Sequence, residues 1–175
     1  MSNKPLLNIE LPLKLFKRGK IRDIFLMGDD VLLLVATDRI SAFDVVMTTG
    51  IPDKGKILTQ ISGFWFDFIK KLMDSHVITT DVSQFPQELR KFKDILDKRS
   101  MLVKKAKQIP VECVVRGYLA GSAWKEYSEN GTVSGIKLPI GLAPSSKLPE
   151  PVFTPTTKED TGHDIALTFK ELSKK

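Results

Sequence analysis

Two short apolar-rich runs near the beginning of the chain, Gly19–Phe25 and Val31–Thr37, predict β-strands. Gly28-Asp29-Asp30 lies between them and supplies residues that favour a tight turn. We therefore predict a β-hairpin at this position. Further along the chain, Met101–Lys105 predicts another strand, and Val77–Thr80 predicts a short one.

A longer pattern with helical spacing covers Lys56–Met73, and its apolar residues recur every three or four positions. The stripe that they form consists of Ile57, Leu58, Ile61, Phe64, Trp65, Phe68, Ile69, Leu72 and Met73. We expect this helix to bury its stripe in the core. Gln87–Leu96 predicts a second amphipathic helix with Pro86 near its first turn. The residues of that helix expected to face inward are Leu89, Phe92, Ile95 and Leu96.

The stretch Ile109–Tyr127 changes from a strand pattern to a helix pattern. Apolar and polar positions alternate from Val111 to Arg116, so a strand places Glu112 and Arg116 on one face. Gly117 and Gly121 then end this alternating pattern. After them we predict a helix with Ser122 as its N-cap, ending at Asn130-Gly131.

An arginine beside a helix N-terminus is a suitable arrangement for binding an anion. Arg116 offers several N–H donors, and the start of the helix near Ser122 adds backbone N–H groups. A surface Glu–Arg pair next to an ordinary helix cap explains the same residues. Spacing alone somewhat favours that simpler interpretation.

Basic residues also recur near the first strand, at Arg18, Lys20 and Arg22. On one strand these three residues share a face, and Gly19 allows close approach of the backbone. Such a row can lie against a polyphosphate, although alternating basic residues more commonly form a solvated strand edge. The glycines of a Walker loop or of a dinucleotide-binding fingerprint are absent.

A group of polar residues follows the second strand of the predicted hairpin. Two interpretations fit this group: a turn that satisfies its own backbone groups, or a loop at the edge of a binding site. Its members are Asp38, Arg39, Ser41 and Asp44.

The last forty residues carry weaker patterns. Gly135–Gly162 is rich in Pro, Gly, Ser and Thr and has neither hydrophobic period, so we expect an irregular loop or linker. Thr168 and Glu171 predict a capping box for a short final helix. Because a helix of about two turns is marginal by itself, we expect the chain to be a fragment that stops as an element begins.

Composition restricts the classes of function. The chain has 175 residues, of which 42% are hydrophobic and 27% charged, as is typical of a soluble globular protein. Its net charge of +6 suggests an anionic partner. The basic residues are dispersed and aromatic residues for base stacking are few, so phosphorylated small molecules fit better than nucleic acid. No signal peptide or bilayer-spanning run is evident, so we expect a cytoplasmic protein without membrane contact.

The sequence offers little for cysteine or metal chemistry. Cys113 is the only cysteine, which excludes a disulfide within the chain and fits a reducing compartment. Its valine neighbours and the lack of a nearby histidine predict a small buried residue rather than a nucleophile. Gly162-His163-Asp164 provides too few ligands for zinc, so no metal ligand is assigned.

Four segments in order resemble the SAICAR synthetase family (phosphoribosylaminoimidazole-succinocarboxamide synthase), a ligase of the purine pathway. They are GKIRD at Gly19–Asp23, ATDRISAFD at Ala36–Asp44, IPVECVVRGYLAGSAWKEY at Ile109–Tyr127 and KLPEPVFTPTTK at Lys147–Lys158. The resemblance extends from about Leu15 to the last residue. It implies an α+β fold related to kinase and ATP-grasp arrangements. An antiparallel-sheet domain is expected over 1–105, and the incomplete start of a second α+β domain over 106–175.

The resemblance also implies a reaction: ATP-dependent condensation of carboxyaminoimidazole ribonucleotide with L-aspartate to give SAICAR, ADP and phosphate, with Mg²⁺. The residues that match the family's nucleotide site are Gly19, Lys20, Arg22, Lys104 and Gln108. Arg116 and Ser122 match the ribonucleotide site, and Arg116 and Glu112 are the candidate catalytic residues. Glu112 either orients Arg116 or contacts a ligand amine.

The resemblance is incomplete in one respect that bears on activity. Family members continue beyond this point with an acidic stretch, Asp-x-Lys-x-Glu-x-Gly, that helps bind magnesium and nucleotide, and no such stretch occurs here. A non-catalytic nucleotide-binding module is therefore the main alternative, and a nucleic-acid-binding domain is a weaker one. The sequence leaves the aspartate pocket and the formation of a homo-oligomer open.

Overall fold

An antiparallel sheet organises the first of two units, Met1–Lys107, in this computed structural model, which describes residues 4–43, 45–158 and 164–174. The strands of this unit are β1 (Leu15–Arg18), β2 (Arg22–Leu26), β3 (Val31–Ala36), β4 (Arg39–Ala42), β5 (Val45–Gly50), β6 (Val77–Thr79) and β7 (Ser100–Lys104). The main sheet has the order β1-β2-β3-β7-β6, and β4 pairs with β5 separately. The helices are α1 (Lys54–Ile69), α2 (Gln87–Arg90) and α3 (Lys93–Leu96), with a 3-10 turn at Val82–Gln84.

The predicted hairpin is confirmed, but the prediction that the basic residues beside it share one face of a single strand was wrong. Strands β2 and β3 pair antiparallel, and Gly28 adopts a φ of +76° in the turn between them. Arg18 ends β1 and Arg22 begins β2, and the two strands pair antiparallel. The chain reverses between them, where the Gly19 N–H donates to the Arg22 carbonyl at 2.8 Å. The three basic residues therefore do not lie along one strand.

The core of the first unit lies on one face of the sheet. Phe25, Leu33 and Leu102 from β2, β3 and β7 pack there against residues of the short helices. The predicted helix over Gln87–Leu96 is interrupted and forms α2 and α3 instead. Its inward face was nevertheless predicted correctly, since Leu89 and Leu96 are fully buried and the other predicted inward residues pack against the same core.

Helix α1 confirms the predicted helical period but not the predicted burial of its apolar stripe. Its buried residues are the small Gly55 and Thr59. A Cβ at Gly55 would lie 2.3 Å from the Ala36 carbonyl oxygen, so the helix backbone approaches β3 closely through this small face. The stripe faces away from the sheet, and the side chains of Phe64, Trp65 and Phe68 are 54–63% exposed in the described structure.

The second unit, Gln108–Lys175, is built on a two-stranded antiparallel ribbon. Its elements are β8 (Val111–Tyr118), α4 (Ser122–Asn130), β9 (Thr132–Val133), β10 (Ile136–Lys137), β11 (Lys147–Thr157) and α5 (Phe169–Leu172). β11 pairs with β8, and β9 pairs with β10. A small core contains Leu119, Ala123 and Val133 with Leu148 and Val152 from β11.

Strand β11 contradicts the irregular loop that was expected over Gly135–Gly162. Pro149 and Pro151 lie within a register shift between Lys147 and Val152, where strict pairing with β8 is interrupted. Proline is tolerated at such irregularities and at strand edges because no ladder hydrogen bond from its nitrogen is required there. The composition of the segment therefore concealed a strand.

Three further sequence predictions have clear outcomes. The α+β class with an antiparallel sheet is confirmed. So is the capping box of α5, in which the Glu171 N–H donates to the Thr168 hydroxyl and the Glu171 carboxylate accepts from the Thr168 N–H. The predicted burial of Cys113 was wrong, because nothing in the described structure covers its side of β8, and the residue is exposed. No helix among the described residues is long and apolar enough to cross a membrane.

Candidate functional site

A pocket of about 320 Å³ in the second unit brings the end of β8 together with the start of α4. The Arg116 Nε donates to the Thr154 hydroxyl at 3.0 Å, and a terminal nitrogen of the same guanidinium donates to the Ser122 hydroxyl at 3.3 Å. Thr154 is itself fixed, since its hydroxyl donates to the Val114 carbonyl at 3.1 Å. Arg116, Ser122 and Thr154 all line the pocket.

Thr154 is a site residue that residue-by-residue reasoning missed. It lies on β11 two residues after Val152, the Cα partner of Arg116, and it belongs to the segment Lys147–Lys158 that carried part of the family resemblance. The available signal was therefore the segment as a whole. Because its hydroxyl holds the guanidinium against β8, Thr154 restricts the directions in which Arg116 can present its donors.

The start of α4 differs from its prediction. Gly121, not Ser122, occupies the N-cap position, and no side chain caps the helix there. Ser122 is the first helical residue, and its hydroxyl accepts from Arg116 instead of capping the backbone. The predicted end of the helix is confirmed, with Gly131 as a left-handed C-cap at a φ of +69°.

We expect Gly121→Ala to lower the free energy of unfolding by about 1–2 kcal/mol. Gly121 adopts a φ of +61° and a ψ of −133°, a backbone conformation that is accessible mainly to glycine. A Cβ at this position would meet no atom within 4 Å, so the cost arises from the backbone alone. Urea unfolding followed by circular dichroism measures it.

Gly117→Ala provides the matched control for this prediction. Gly117 lies on β8 outside the positive-φ range, and a Cβ there also meets no atom within 4 Å. Its substitution should change the free energy of unfolding by less than about 0.5 kcal/mol. Equal effects of the two substitutions would show that the conformation of Gly121 is not what stabilises the start of α4.

Glu112 has a different partner from the one considered for it in the sequence. Its carboxylate forms an ion pair with the ammonium of Lys158, which also lies 3.9 Å from the Asp164 carboxylate. The hydrogen bond to Glu112 is the main cause that raises the pKa of Lys158. Glu112 and Arg116 share a face of β8, but among the described contacts the carboxylate is held by Lys158 rather than by the guanidinium.

In the first unit, buried side chains donate hydrogen bonds to the backbone of the turn that carries Gly19 and Lys20. Arg39 donates to the Gly19 carbonyl at 3.0 Å and to the Lys20 carbonyl at 3.1 Å. The Thr37 hydroxyl donates to the Ile21 carbonyl at 2.8 Å. Three consecutive carbonyl groups are thus engaged by the protein, which gives this turn a defined shape.

Asp38 and Arg39 act through contacts that neither sequence interpretation included. The Asp38 carboxylate accepts from the backbone N–H groups of Leu6 and Gly55 and from the Arg99 guanidinium, all far away in sequence. Burial opposes ionisation of Asp38, but these hydrogen bonds outweigh it and lower the pKa. Ser41 lies on β4, and Asp44 lies outside the described residues.

The main sheet separates two of the candidate nucleotide residues, Arg22 and Lys104. Arg22 is paired with Ala36 and Lys104 with Val31, so they lie roughly 17 Å apart along β3 at the usual rise per residue. The alternation of side chains also places them on opposite faces of the sheet. Gln108 is exposed at the beginning of the second unit.

Neither unit offers an evident metal centre in its described part. Among those residues, no group of three His, Cys, Asp or Glu side chains is placed to hold an ion. His163, considered and rejected as a zinc ligand, lies outside the described residues. No ligand of Mg²⁺ is therefore assigned.

Comparisons with known proteins agree on one family. The family model of SAICAR synthetase matches residues 15–175. The phosphoribosylaminoimidazole-succinocarboxamide synthase of Thermodesulfovibrio yellowstonii is 61% identical over 158 residues, which are 90% of this chain and 54% of that protein.

Solved structures give the same result. A SAICAR synthase superposes with a TM-score of 0.85 at 43% identity, over 97% of this chain and 58% of that one. The Saccharomyces cerevisiae SAICAR synthase complexed with SAICAR superposes with a TM-score of 0.80 at 46% identity, over 91% of this chain and 56% of that one. The chain thus spans slightly more than half the length of these relatives.

Proposed function

Because this chain belongs to the SAICAR synthetase family, we propose that it contributes the ribonucleotide and nucleotide-phosphate sites of an ATP-dependent ligase of purine biosynthesis. The ligase joins the carboxylate of carboxyaminoimidazole ribonucleotide to the amino group of L-aspartate and yields SAICAR, ADP and phosphate. One observation carries the proposal. Arg116 and Ser122, which match the family's ribonucleotide site, form a hydrogen bond with each other and line one pocket.

The pocket around Arg116 has the chemistry that a phosphorylated sugar requires. A guanidinium has five N–H donors, of which Thr154 and Ser122 engage two in the described structure. The remaining donors suit the oxygens of a phosphate or carboxylate group. Glu126 and Glu129 also line the pocket, and their carboxylates are acceptors for ribose hydroxyl groups.

The proposed reaction needs no covalent enzyme intermediate. A carboxylate oxygen of the ribonucleotide attacks the γ-phosphorus of ATP, the bond to the bridging oxygen breaks, and ADP leaves. The aspartate amine then attacks the acyl carbon of the resulting acyl phosphate, the C–N bond forms, phosphate leaves, and the nitrogen loses a proton. Catalysis of this kind depends on positioning and on offsetting the repulsion between anions.

Lys20 and Arg22 are the proposed cations for the ATP phosphates in this chain. They lie in and beside the turn whose carbonyls Arg39 and Thr37 hold. The resemblance also assigns Lys104 and Gln108 to the nucleotide. Because β3 places Lys104 roughly 17 Å from Arg22 and on the opposite face of the sheet, Lys104 is assigned no contact with the phosphates that Arg22 binds. The family's use of Mg²⁺ is compatible with this scheme, but the described residues supply no ligand set for it and no step is assigned to the ion.

An ADP-release assay tests the proposed function on this chain. It contains ATP, Mg²⁺, the carboxylated ribonucleotide and L-aspartate, and it omits L-aspartate in the control. Aspartate-dependent ADP release would support a complete ligase within 175 residues. If the assay shows no ADP release but titration calorimetry shows that the ribonucleotide binds, the result would support a chain that carries only the binding sites. If the ribonucleotide does not bind, the assignment of the Arg116 pocket is wrong.

A non-catalytic nucleotide-binding module is the second candidate. The observation in its favour is the well-formed turn at Gly19–Ile21, while the described residues place no three His, Cys, Asp or Glu side chains together to hold a metal ion. This alternative predicts that ATP binds with no turnover and that the ribonucleotide does not compete or cooperate with it.

A further inference from the structure

An apolar surface on α1 belongs neither to the core of the first unit nor to the Arg116 pocket. Five large side chains of the helix form it, and they are 49–63% exposed in the described structure. Helix α1 contacts the sheet through its opposite, small side, at Gly55 and Thr59. We call the exposed surface the outer face of α1, and its residues are Ile57, Ile61, Phe64, Trp65 and Phe68.

The three aromatic residues of the outer face pack on one another. The ring centroids of Phe64, Trp65 and Phe68 lie 5.4–6.2 Å apart. Because an aromatic side chain can bury about 150–250 Å², these three residues at 54–63% exposure leave on the order of 350 Å² uncovered. The two isoleucines enlarge this patch, and soluble monomers seldom expose a contiguous apolar patch of more than a few hundred Å² unless it binds something.

The spacing of the outer face indicates another helix as its partner. From Ile57 to Phe68, its seam positions follow one another at intervals of four, three and four residues. This is the spacing at which two packed helices meet. The ten residues from Ile57 to Phe66 include no charged side chain. The centre of a protein interface is likewise poor in charge and rich in aromatic residues.

The length of the relatives indicates where this helix comes from. The family model matches residues 15–175, so α1 belongs to the shared fold. The SAICAR synthase that superposes over nearly the whole of this chain is much longer, and the rest of that protein has no counterpart in this chain. A surface that belongs to the shared fold but is uncovered in this chain is suited to a contact with that remaining part.

We propose that the outer face of α1 is the docking surface for an amphipathic helix from the part of a SAICAR synthetase that this chain does not span. Helix α1 then lies between the sheet on one side and the docked helix on the other, so that both of its faces are buried. The sheet itself buries only Gly55 and Thr59 of α1. The docked helix therefore supplies most of the apolar burial that stabilises α1.

Co-expression of this chain with the part of the Thermodesulfovibrio yellowstonii protein that lies outside the matched region tests the proposal. Size-exclusion chromatography with light scattering should show a one-to-one complex. Hydroxyl-radical footprinting with mass spectrometry then reports on Trp65, which is 54% exposed in this chain. Its oxidation should be roughly fivefold slower in the complex than in the chain alone, as expected for a side chain in a desolvated interface centre.

Three results would overturn the proposal. The first is the absence of a complex after co-expression. The second is a complex in which Trp65 is oxidised as fast as in the chain alone. The third is slow oxidation of Trp65 in the chain alone, because the outer face would then be covered by this chain itself, within a monomer or in a dimer.

Phe68→Gln tests the outer face without threatening the fold of the chain. Phe68 is 63% exposed, so its substitution should change the melting temperature of the chain alone very little. It should weaken the complex roughly tenfold or more, the scale of an aromatic residue near the centre of an interface. Unchanged affinity in this variant would also contradict the proposal.

Phe16→Gln is the matched control in the same unit. Phe16 lies on β1 and is 51% exposed, so it is an aromatic residue of similar exposure outside the outer face. Its substitution should change the affinity less than about twofold. These measurements involve no ligand and no turnover. A failed ADP-release assay would therefore leave their result intact, and failure to form the complex would leave the assignment of the Arg116 pocket intact.

Discussion

Replacing Asp38 with alanine is expected to lower the free energy of unfolding of the first unit by about 3–5 kcal/mol. Asp38 is 1% exposed, and its carboxylate accepts from Leu6 N–H at 2.8 Å, Gly55 N–H at 2.9 Å and Arg99 at 2.9 Å. Its removal leaves a buried guanidinium without a counter-ion and two backbone donors without a partner. Urea unfolding followed by tryptophan fluorescence measures the effect. In a Trp124→Phe background, Trp65 is the only tryptophan, so the signal reports on the first unit.

Asp67→Ala is the control for that result. Asp67 also forms an ion pair, with Lys70 at 3.3 Å, but its side chain is 81% exposed. Exposed pairs contribute about 0–1 kcal/mol, so this substitution should have little effect. A loss of less than about 1 kcal/mol in the Asp38 variant would contradict the view that this carboxylate joins the N-terminal segment, α1 and Arg99, the residue before β7.

The same carboxylate gives the stability of the first unit a defined pH dependence. The pKa of Asp38 is lower in the folded than in the unfolded state. Its stabilising contribution is therefore complete above the ordinary pKa of an aspartate, about 3.9. The contribution is lost as the pH falls through the lower folded value. The side chain of Asp38→Asn cannot titrate. The difference in the free energy of unfolding between the wild type and this variant, measured by urea unfolding at several pH values, should therefore decrease as the pH falls.

The sequence predicted those strands and caps whose signals are local. The hairpin of β2 and β3 follows from two apolar runs and the turn residues at Gly28, and the α5 capping box follows from Thr168 and Glu171. The reversal at Gly19–Ile21 was missed. It depends on hydrogen bonds from Arg39 and Thr37, and a contact between distant residues leaves no periodic trace in a sequence.

Burial was harder to predict than secondary structure. Periodicity correctly identified α1 as a helix, but it could not show that the small face with Gly55 and Thr59 would meet the sheet. A residue's burial depends on which element packs against it. Cys113 illustrates the same limit, since its strand was predicted and its burial was not.

The proximity of Arg116 and Ser122 could be predicted because the two residues belong to one continuous stretch. Arg116 and Ser122 are six residues apart, and a strand, a glycine turn and a helix bring them together. Thr154, which orients the guanidinium, and Lys158, which holds Glu112, both come from β11 or the residue after it. The prolines of β11 led to the prediction of an irregular loop, so the contacts that this strand provides were not predicted.

Arg116→Ala is expected to weaken binding of carboxyaminoimidazole ribonucleotide by about 1.5–3 kcal/mol, the contribution of a charged hydrogen bond. The arginine lines the pocket with its guanidinium held by Thr154 and Ser122, so its donors are already positioned when the ligand arrives. Titration calorimetry with the ribonucleotide measures the loss. Lys147→Ala, which removes an exposed charge from the other strand of the ribbon, should leave the affinity nearly unchanged.

Two further substitutions separate the charge of Arg116 from its geometry. Arg116→Lys keeps the charge but loses the planar fork of donors, and Thr154→Val keeps the arginine but removes the hydroxyl that orients it. If orientation matters, both variants should bind the ribonucleotide more weakly than the wild type and more tightly than Arg116→Ala. If Arg116→Lys binds as well as the wild type, charge alone suffices and the fixed guanidinium is a feature of packing. Wild-type affinity in a folded Arg116→Ala variant would remove the residue from the ribonucleotide site altogether.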